Sequence, residues 1–464
     1  MTKFTKIDQV FNLIKQQIDQ KKLTEGTRLS SVRLMAKELG FSVSTIVEAY
    51  ARLQAENLIE SRTGSGYFVV KQNAQTLMPE LDQVFVYDRE VDPLWISRQS
   101  LENQMGVLKP GCGWLPSDWL PEQSIRKSLK QIAKLEHLVL TDYATPQGHK
   151  ALRQLIAIRK ESFEIYVNST NVLLVDSATQ AIDLIFRQSL SAGDVIIIDD
   201  PCYFNFQALI KAHKLQTIAI PFTENGPDID KFEQALHYKP KFYLTNSAIH
   251  NPTGATLSLH TAFKIAQLCE QNEITIIEDD IFADFEEHAT PRYAALSGIE
   301  NVIQIGSFSK TISSSFRIGY IITNQSNIDQ FIDLKIATNF TNNQLNSEIV
   351  FHVLMDPTYL KHLDWMKKRL NFLRNDTIKK LESLSIIPWT IPKSGLFLWC
   401  KLPDHIDASA LSKQCIKEGI ILAPGNAFSQ SKTAHQFMRF NVAQCQDKKV
   451  WDVLTQAIEQ LKAK

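Results

Sequence analysis

Apolar positions along the first seventy residues repeat at helical spacing. Ile7, Val10, Phe11, Ile14 and Ile18 form one stripe, and the segment EGTR closes it with a glycine. Ser30 or Ser31 can cap a second, shorter helix with Val32, Met35, Ala36 and Leu39 inward, closed by Gly40. Ser42 then caps a third helix whose inner face is Ile46, Ala49, Tyr50 and Leu53. A short apolar strand at Leu58 and Ile59, the turn TGSG and a second strand YFVV follow. Two short helices across a tight glycine turn, followed by a hairpin, predict a winged helix-turn-helix; a three-helix interaction module with a hairpin is the alternative that pattern alone leaves open.

From about residue 110 the period changes. Strand-like runs at 171–175, 194–199, 216–220, 241–245, 274–279, 301–306 and 317–322 alternate with helical stretches such as TQAIDLIFRQSLSA. That alternation predicts an α/β unit with a mostly parallel sheet and helices on both faces. After about residue 345 the order becomes long helix (359–384), strand GLFLWCKL, helix, strand FMRFNVA, helix, which predicts a smaller α+β subdomain. The division expected is therefore a head at 1–71, a connector at 72–108 and a body at 109–464. The connector begins polar and ends in DPLWISRQSL, too aromatic and apolar for a bare linker, so its second half is expected to pack on the body.

Composition narrows the chemistry. A chain of 464 residues exceeds what one core sustains. Six cysteines without a CxxC pair argue against a disulfide framework and a zinc site, and the histidines lack metal-ligand spacing. Apolar runs are strand-length, which excludes a membrane span, and the start MTKFTKIDQV lacks the apolar core of a signal peptide, so a cytoplasmic address is expected. Net charge is zero, yet residues 1–71 carry eleven Lys/Arg against seven Asp/Glu. A basic head on an acidic body is a hint of nucleic acid in the head.

In an α/β sheet, ligands sit beyond the carboxyl ends of the strands, and four unusual segments of this chain fall there. SATQA (177–181) opens a helix, so its N–H groups can hold a phosphate. NPTG (251–254) follows the next. EDD (278–280) ends an apolar strand, where an unpartnered carboxylate is costly, and SFSK (307–310) is followed by Arg317. Taken singly, each is a turn, a solvated strand end or a surface lysine; taken in order, they fit one ligand, pyridoxal 5'-phosphate. Lys310 would supply the amine for its aldehyde and Asp279 the carboxylate that keeps its ring nitrogen protonated. Ser177, Ala178, Thr179, Ser307, Ser309 and Arg317 would hold its phosphate, Asn251 its phenolic oxygen, and Tyr203 would lie against its ring.

The stretch EGTRLSSVRLMAKELGFSVSTIVEAYARLQAENLIESRTGSGYFV resembles the DNA-binding domain of the GntR-type regulators. The resemblance implies a double-stranded DNA operator read by Arg33, Ser42, Ser44 and Thr45, with Arg62, Gly64 and Gly66 in the wing. Where many members carry arginines, this chain has Val43 and Val47. Valine can contact thymine methyls but cannot make the bidentate contact to guanine, which leaves weak binding, an AT-leaning site, or affinity carried by phosphates. Residues 105–464 resemble the fold-type I aminotransferases, and the fusion of the two resembles the MocR-type regulators. That resemblance implies a homodimer in which Tyr143, in DYATPQGHKALR, reaches the partner subunit's cofactor phosphate. It also implies a substrate α-carboxylate held by Arg439 of MRFNVA, and a site mouth at KPGCGWLP that includes Gly113. One departure stands out: DDIF places Phe282 where the family often has a tyrosine, which puts efficient transamination in doubt. The expectation is a regulator whose aminotransferase-like body senses pyridoxal phosphate, an amino compound, or both. The competing expectation is a working aminotransferase with an accessory head.

Overall fold

A computed structural model of the chain describes residues 5–20, 22–56, 58–62, 65–70, 94–101, 106–134 and 141–462. The chain divides into two compact units, Met1–Val86 and Tyr87–Lys464. Thr63, Gly64 and Lys71 of the head and residues 72–93 and 102–105 of the connector lie outside the described residues.

In the first unit, helix α1 (Lys6–Asp19) starts at a capping box between Thr5 and Asp8. Of the two candidate caps, Ser31 caps α2 (Val32–Leu39), and Gly40 ends that helix in the left-handed region at φ 66°. Ser42 caps α3 (Val43–Ala55), whose buried face is Ile46, Ala49, Tyr50 and Leu53 as the spacing predicts. The α2 stripe is shallower than expected: only Ala36 is fully buried, while Val32, Met35 and Leu39 lie half-buried against the same core. Tyr50 donates from its hydroxyl to the Ser30 carbonyl at 2.8 Å, which fixes α3 to the start of α2. Strands β1 (Ile59–Arg62) and β2 (Gly66–Val69) pair antiparallel as the wing.

The second unit is built on an eight-stranded sheet in the order β3-β10-β9-β8-β7-β4-β5-β6. Its strands are β3 (Val172–Val175), β4 (Val195–Asp200), β5 (Gln216–Thr223), β6 (Gly226–Pro227), β7 (Phe242–Thr245), β8 (Thr275–Asp279), β9 (Val302–Ser307) and β10 (Gly319–Ile322). All seven runs read from the sequence are strands; only the two-residue β6 was not read. Pairings β9-β8, β8-β7, β7-β4 and β4-β5 are parallel, whereas β10 runs antiparallel to both β9 and β3. Two antiparallel steps make β3 parallel to β9. The carboxyl ends of β3, β7, β8 and β9 and the start of β10 therefore share one edge. Both faces are covered: Leu173 and Val175 enter one core, Val172 and Leu174 the other.

The C-terminal part forms an antiparallel four-stranded sheet in the order β11-β12-β14-β13. It comprises β11 (Ile387–Pro388), β12 (Phe397–Lys401), β13 (Ala423–Pro424) and β14 (Phe437–Asn441), with helices Pro357–Ser383, Ala408–Lys417 and Lys448–Lys462. Helix Trp95–Leu101, from the end of the connector, buries Ile96 in a cluster with Phe204, Trp399 and Phe428. No described helix is long and apolar enough to cross a membrane.

Candidate functional site

Ser177, at the end of β3, caps helix Ala178–Ser189 by accepting from the Gln180 N–H. The first-turn amides of Ala178 and Thr179 have no carbonyl partner within their own helix. Gly319 lets β10 lie against this turn: a Cβ there would come 2.7 Å from the Ser177 carbonyl carbon. Ser307 is spent differently from expectation, because its hydroxyl donates to the Ile318 carbonyl at 3.0 Å and accepts from the Ser309 N–H. It braces the loop that carries Ser309 and Lys310 and has no proton left for an anion. Thr179 likewise uses its hydroxyl as an acceptor, from Asn205. Arg317 is exposed and sits at φ 52°, in the left-handed region that costs a non-glycine residue. Ser177, Gln180, Arg317, Asn342, Asn343 and Asn346 line an open cavity of about 690 Å³.

Lys310 lies deeper, at the end of the β9 loop. Burial pushes its amine down to about 8, with Cys112, Arg439, Asp279 and Arg317 close enough to act on it. Asp279, last residue of β8, is pushed up to about 7, first by burial; the Ile281 N–H and Asn246 oppose that rise. Burial pushes the Tyr203 hydroxyl up to about 12, with Arg439 and Asp279 near enough to act on it. Gly113 faces the same space: a Cβ on it would lie 3.8 Å from an Arg439 guanidinium nitrogen and 4.0 Å from Lys310 Nζ.

Arg439 on β14 is 1% exposed. Its Nη1 donates to Asn251 Oδ1 and its Nη2 to the Gly111 carbonyl, both at 2.7 Å. The rings of Phe397 and Phe428 stand 4.3 and 4.6 Å from the guanidinium. Nε is buried without a partner, and among the described residues no carboxylate pairs with this arginine. Burial lowers its pKa to about 10. Asn251 accepts from Arg439 with its side-chain oxygen, so only its amide N–H groups remain as side-chain donors. Phe282 is buried edge-on against Phe397, at 5.4 Å between centroids, and brings no hydroxyl to the site.

The sequence reading singled out Asp279 from EDD; the structure buries all three carboxylates and gives each its own partners. Glu278 accepts from the backbone N–H groups of Tyr293 and Ala294 and from Gln304. Asp280 pairs with Lys160 at 2.7 Å and with Arg292 at 3.1 Å. These two cations more than offset the burial that would raise Asp280. Lys160 and Arg292 come from segments that show no sign of this in their local sequence, as do Phe397 and Phe428. Asn246, which donates to the Asp279 carbonyl at 3.2 Å, was also missed; its place five residues before Asn251 was the available signal.

Tyr143 is apart from this cluster, 81% exposed and edge-on to Phe340. In the head, Arg33 is exposed, and Arg62 stacks on Phe68 while pairing with Glu60 at 2.7 Å. Gly66 has φ 103°, with the Arg28 guanidinium above it. Ser42 is occupied as a cap, and its hydroxyl also meets those of Ser44 and Thr45 at 2.9 and 2.7 Å. Gly64 lies outside the described residues.

Comparisons with known proteins divide the chain along the same lines. Residues 6–69 match the family of bacterial regulatory proteins called gntR, and residues 117–458 match aminotransferase class I and II. An uncharacterized HTH-type transcriptional regulator of Bacillus subtilis, YdfD, is 26% identical over 96% of this chain and 95% of its own. The HTH-type transcriptional regulator NorG of Staphylococcus aureus is 26% identical over 87% of this chain and 93% of its own. Among solved structures, LysN, an α-aminoadipate aminotransferase from Thermus thermophilus, matches with a TM-score of 0.72 and 22% identity over 79% of this chain and 95% of its own. A kynurenine aminotransferase of Pyrococcus horikoshii matches equally well, at TM-score 0.72 and 22% identity over 84% and 98%. At that identity the structures establish the fold, a fold-type I aminotransferase architecture. The chain belongs to the aminotransferase class I and II family, joined at its N-terminal end to a gntR-type helix-turn-helix head.

Proposed function

We propose that this protein is a homodimeric, DNA-binding transcription regulator of the MocR type. Its body would bind pyridoxal phosphate and, on it, an amino compound bearing a carboxylate. The observation that carries the reading is Arg439: a fully buried guanidinium with no carboxylate partner among the described residues, beside Gly113 and Lys310. Such a cation is costly unless an anion completes it. Relatives over nearly the whole length are HTH-type transcriptional regulators, which favours regulation over turnover.

The residues present fit the cofactor. Lys310 offers a buried amine, Asp279 a buried carboxylate, Tyr203 a flat neighbour, Asn251 a free amide donor, and the Ser177–Thr179 turn an anion cradle. When bound, pyridoxal phosphate would supply an electron-poor carbonyl for an amine and a protonated ring as electron sink. Around it, Asp279 would hold a proton at the ring nitrogen, Arg439 and Asn251 would fix a carboxylate, and Phe397 with Phe428 would keep water from the guanidinium. Phe282 leaves the phenolic oxygen with Asn251 as donor and no phenol, which weakens control of proton movement at Lys310. Tyr143, exposed in one subunit, would extend to the partner subunit.

The test is a visible spectrum of the purified protein with pyridoxal phosphate, then borohydride. The band should disappear and the label should map to Lys310; a Lys310→Ala protein that still fixes the cofactor covalently sinks the assignment. Sustained turnover with an amino donor and an oxoacid would instead establish the aminotransferase.

A further inference from the structure

The part of α3 that would enter the major groove is apolar. Val43 and Val47 are 50% and 47% exposed, one turn apart on the same face, and neither joins the head's core. The hydroxyls beside them are engaged: Ser42 Oγ caps the helix and meets Ser44 and Thr45 at 2.9 and 2.7 Å. The only cation on α3 is Arg52, and it is turned elsewhere, paired with Asp8 at 2.8 Å and stacked on Phe11. Glu48 is exposed on the adjacent face and can only accept. This stretch of α3 therefore has no side chain fit for the bidentate contact to guanine, and it has two branched apolar side chains.

In the major groove, the one apolar feature of a base edge is the C5-methyl of thymine. The N-terminal residues of a recognition helix are those that reach base edges. Side chains four apart on a helix are about 5–6 Å apart, between one and two base steps at about 3.4 Å. We infer that Val43 and Val47 read the methyl groups of two thymines on neighbouring or next-neighbouring base pairs. Sequence choice by this part of α3 then comes from methyl burial, while Arg33, Arg62 and the wing backbone supply phosphate contacts. The inference rests on the head being a DNA-binding domain.

The test uses the full-length protein. Duplexes are selected from a random pool, and each thymine common to the selected sites is replaced by deoxyuridine, which keeps the pairing and removes only the methyl. Affinity should fall about fourfold at each of two positions, the worth of one buried methyl. At those positions, cytosine should bind worse than thymine, and 5-methylcytosine should recover part of the loss, because it restores the methyl without restoring A·T hydrogen bonds. Val43→Ala should abolish uracil sensitivity at one position and Val47→Ala at the other. Both sites are exposed, so the head should fold unchanged. Selected sites that ignore the uracil exchange, or that are defined by guanine, overturn the inference and leave the head a DNA-binding domain. A pool that yields no enriched duplex overturns the DNA-binding reading, and this inference with it.

Discussion

Burial moves Lys310 and Asp279 in opposite directions, and each shift has a sign in stability. Asp279 is raised from 3.8 to about 7, so its favourable contribution is complete below about pH 4 and is lost as pH rises through 7. Lys310 is lowered from 10.5 to about 8; its contribution is complete above about 10.5 and is lost as pH falls through 8. Both penalties overlap between pH 7 and 8. Thermal unfolding of the cofactor-free protein should therefore show Asp279→Asn more stable than the parent at pH 8, with the gap closing toward pH 4. An unchanging gap would mean that Asp279 is not a buried titrating group. At Arg439, replacement by alanine should weaken carboxylate-bearing amines by roughly ten- to a hundredfold, the worth of a charge-assisted bond of about 1.5–3 kcal/mol. Decarboxylated analogues, followed by the same spectral titration, should bind as before. Lys310 and Asp279 were legible because each is a polar group at or just past the end of an apolar strand, whereas Arg439, in the middle of β14, was found only through the family resemblance of MRFNVA. Phe397, Phe428 and the Gly111 carbonyl were not legible, since their contacts with Arg439 join distant segments and leave no local pattern.

Elements set where those residues meet. β10 lies between β3 and β9, and its first residue, Gly319, is flush against the Ser177 turn. Gly319→Ala would push a methyl to 2.7 Å from backbone that a strand and a helix hold on either side. Overpacking of this kind typically costs about 1–3 kcal/mol. Because the displaced backbone is the proposed anion cradle, affinity for pyridoxal phosphate, measured by fluorescence titration, should fall at least about tenfold, along with the melting temperature. Retained affinity would show that the cradle tolerates displacement or lies elsewhere. The strands were readable from β-branched runs such as VIIID, and the helix starts from Ser31, Ser42 and Ser177. The reversed direction of β10 was not, because alternation and burial are the same whichever way a strand runs. Ser307 was read as a phosphate ligand, but its hydroxyl is used as a loop brace; Ser42, read both as the α3 cap and, through the resemblance, as a DNA contact, is used as the cap. A hydroxyl's partner is decided by backbone geometry that its sequence neighbours do not encode.

At the scale of the whole chain, two compact units with different chemistry share one polypeptide. The head offers an exposed face on α3 and a wing; the body brings together a half-buried lysine, a buried carboxylate and a buried arginine, the set proposed to hold a phosphorylated aldehyde and an amino acid. A regulator made this way can respond only as far as its ligands bind two arrangements of the protein unequally. Couplings of that kind are usually about 1–3 kcal/mol, or roughly 5- to 150-fold in affinity. The most direct measurement is a DNA titration of the full-length protein in three states: cofactor-free, with pyridoxal phosphate, and with pyridoxal phosphate plus a carboxylate-bearing amine. Salt and protein concentration are held fixed, since phosphate contacts make affinity strongly salt-dependent. The account predicts at least a fivefold difference in affinity between two of the states, abolished in Lys310→Ala. The same affinity and footprint in all three states would contradict it.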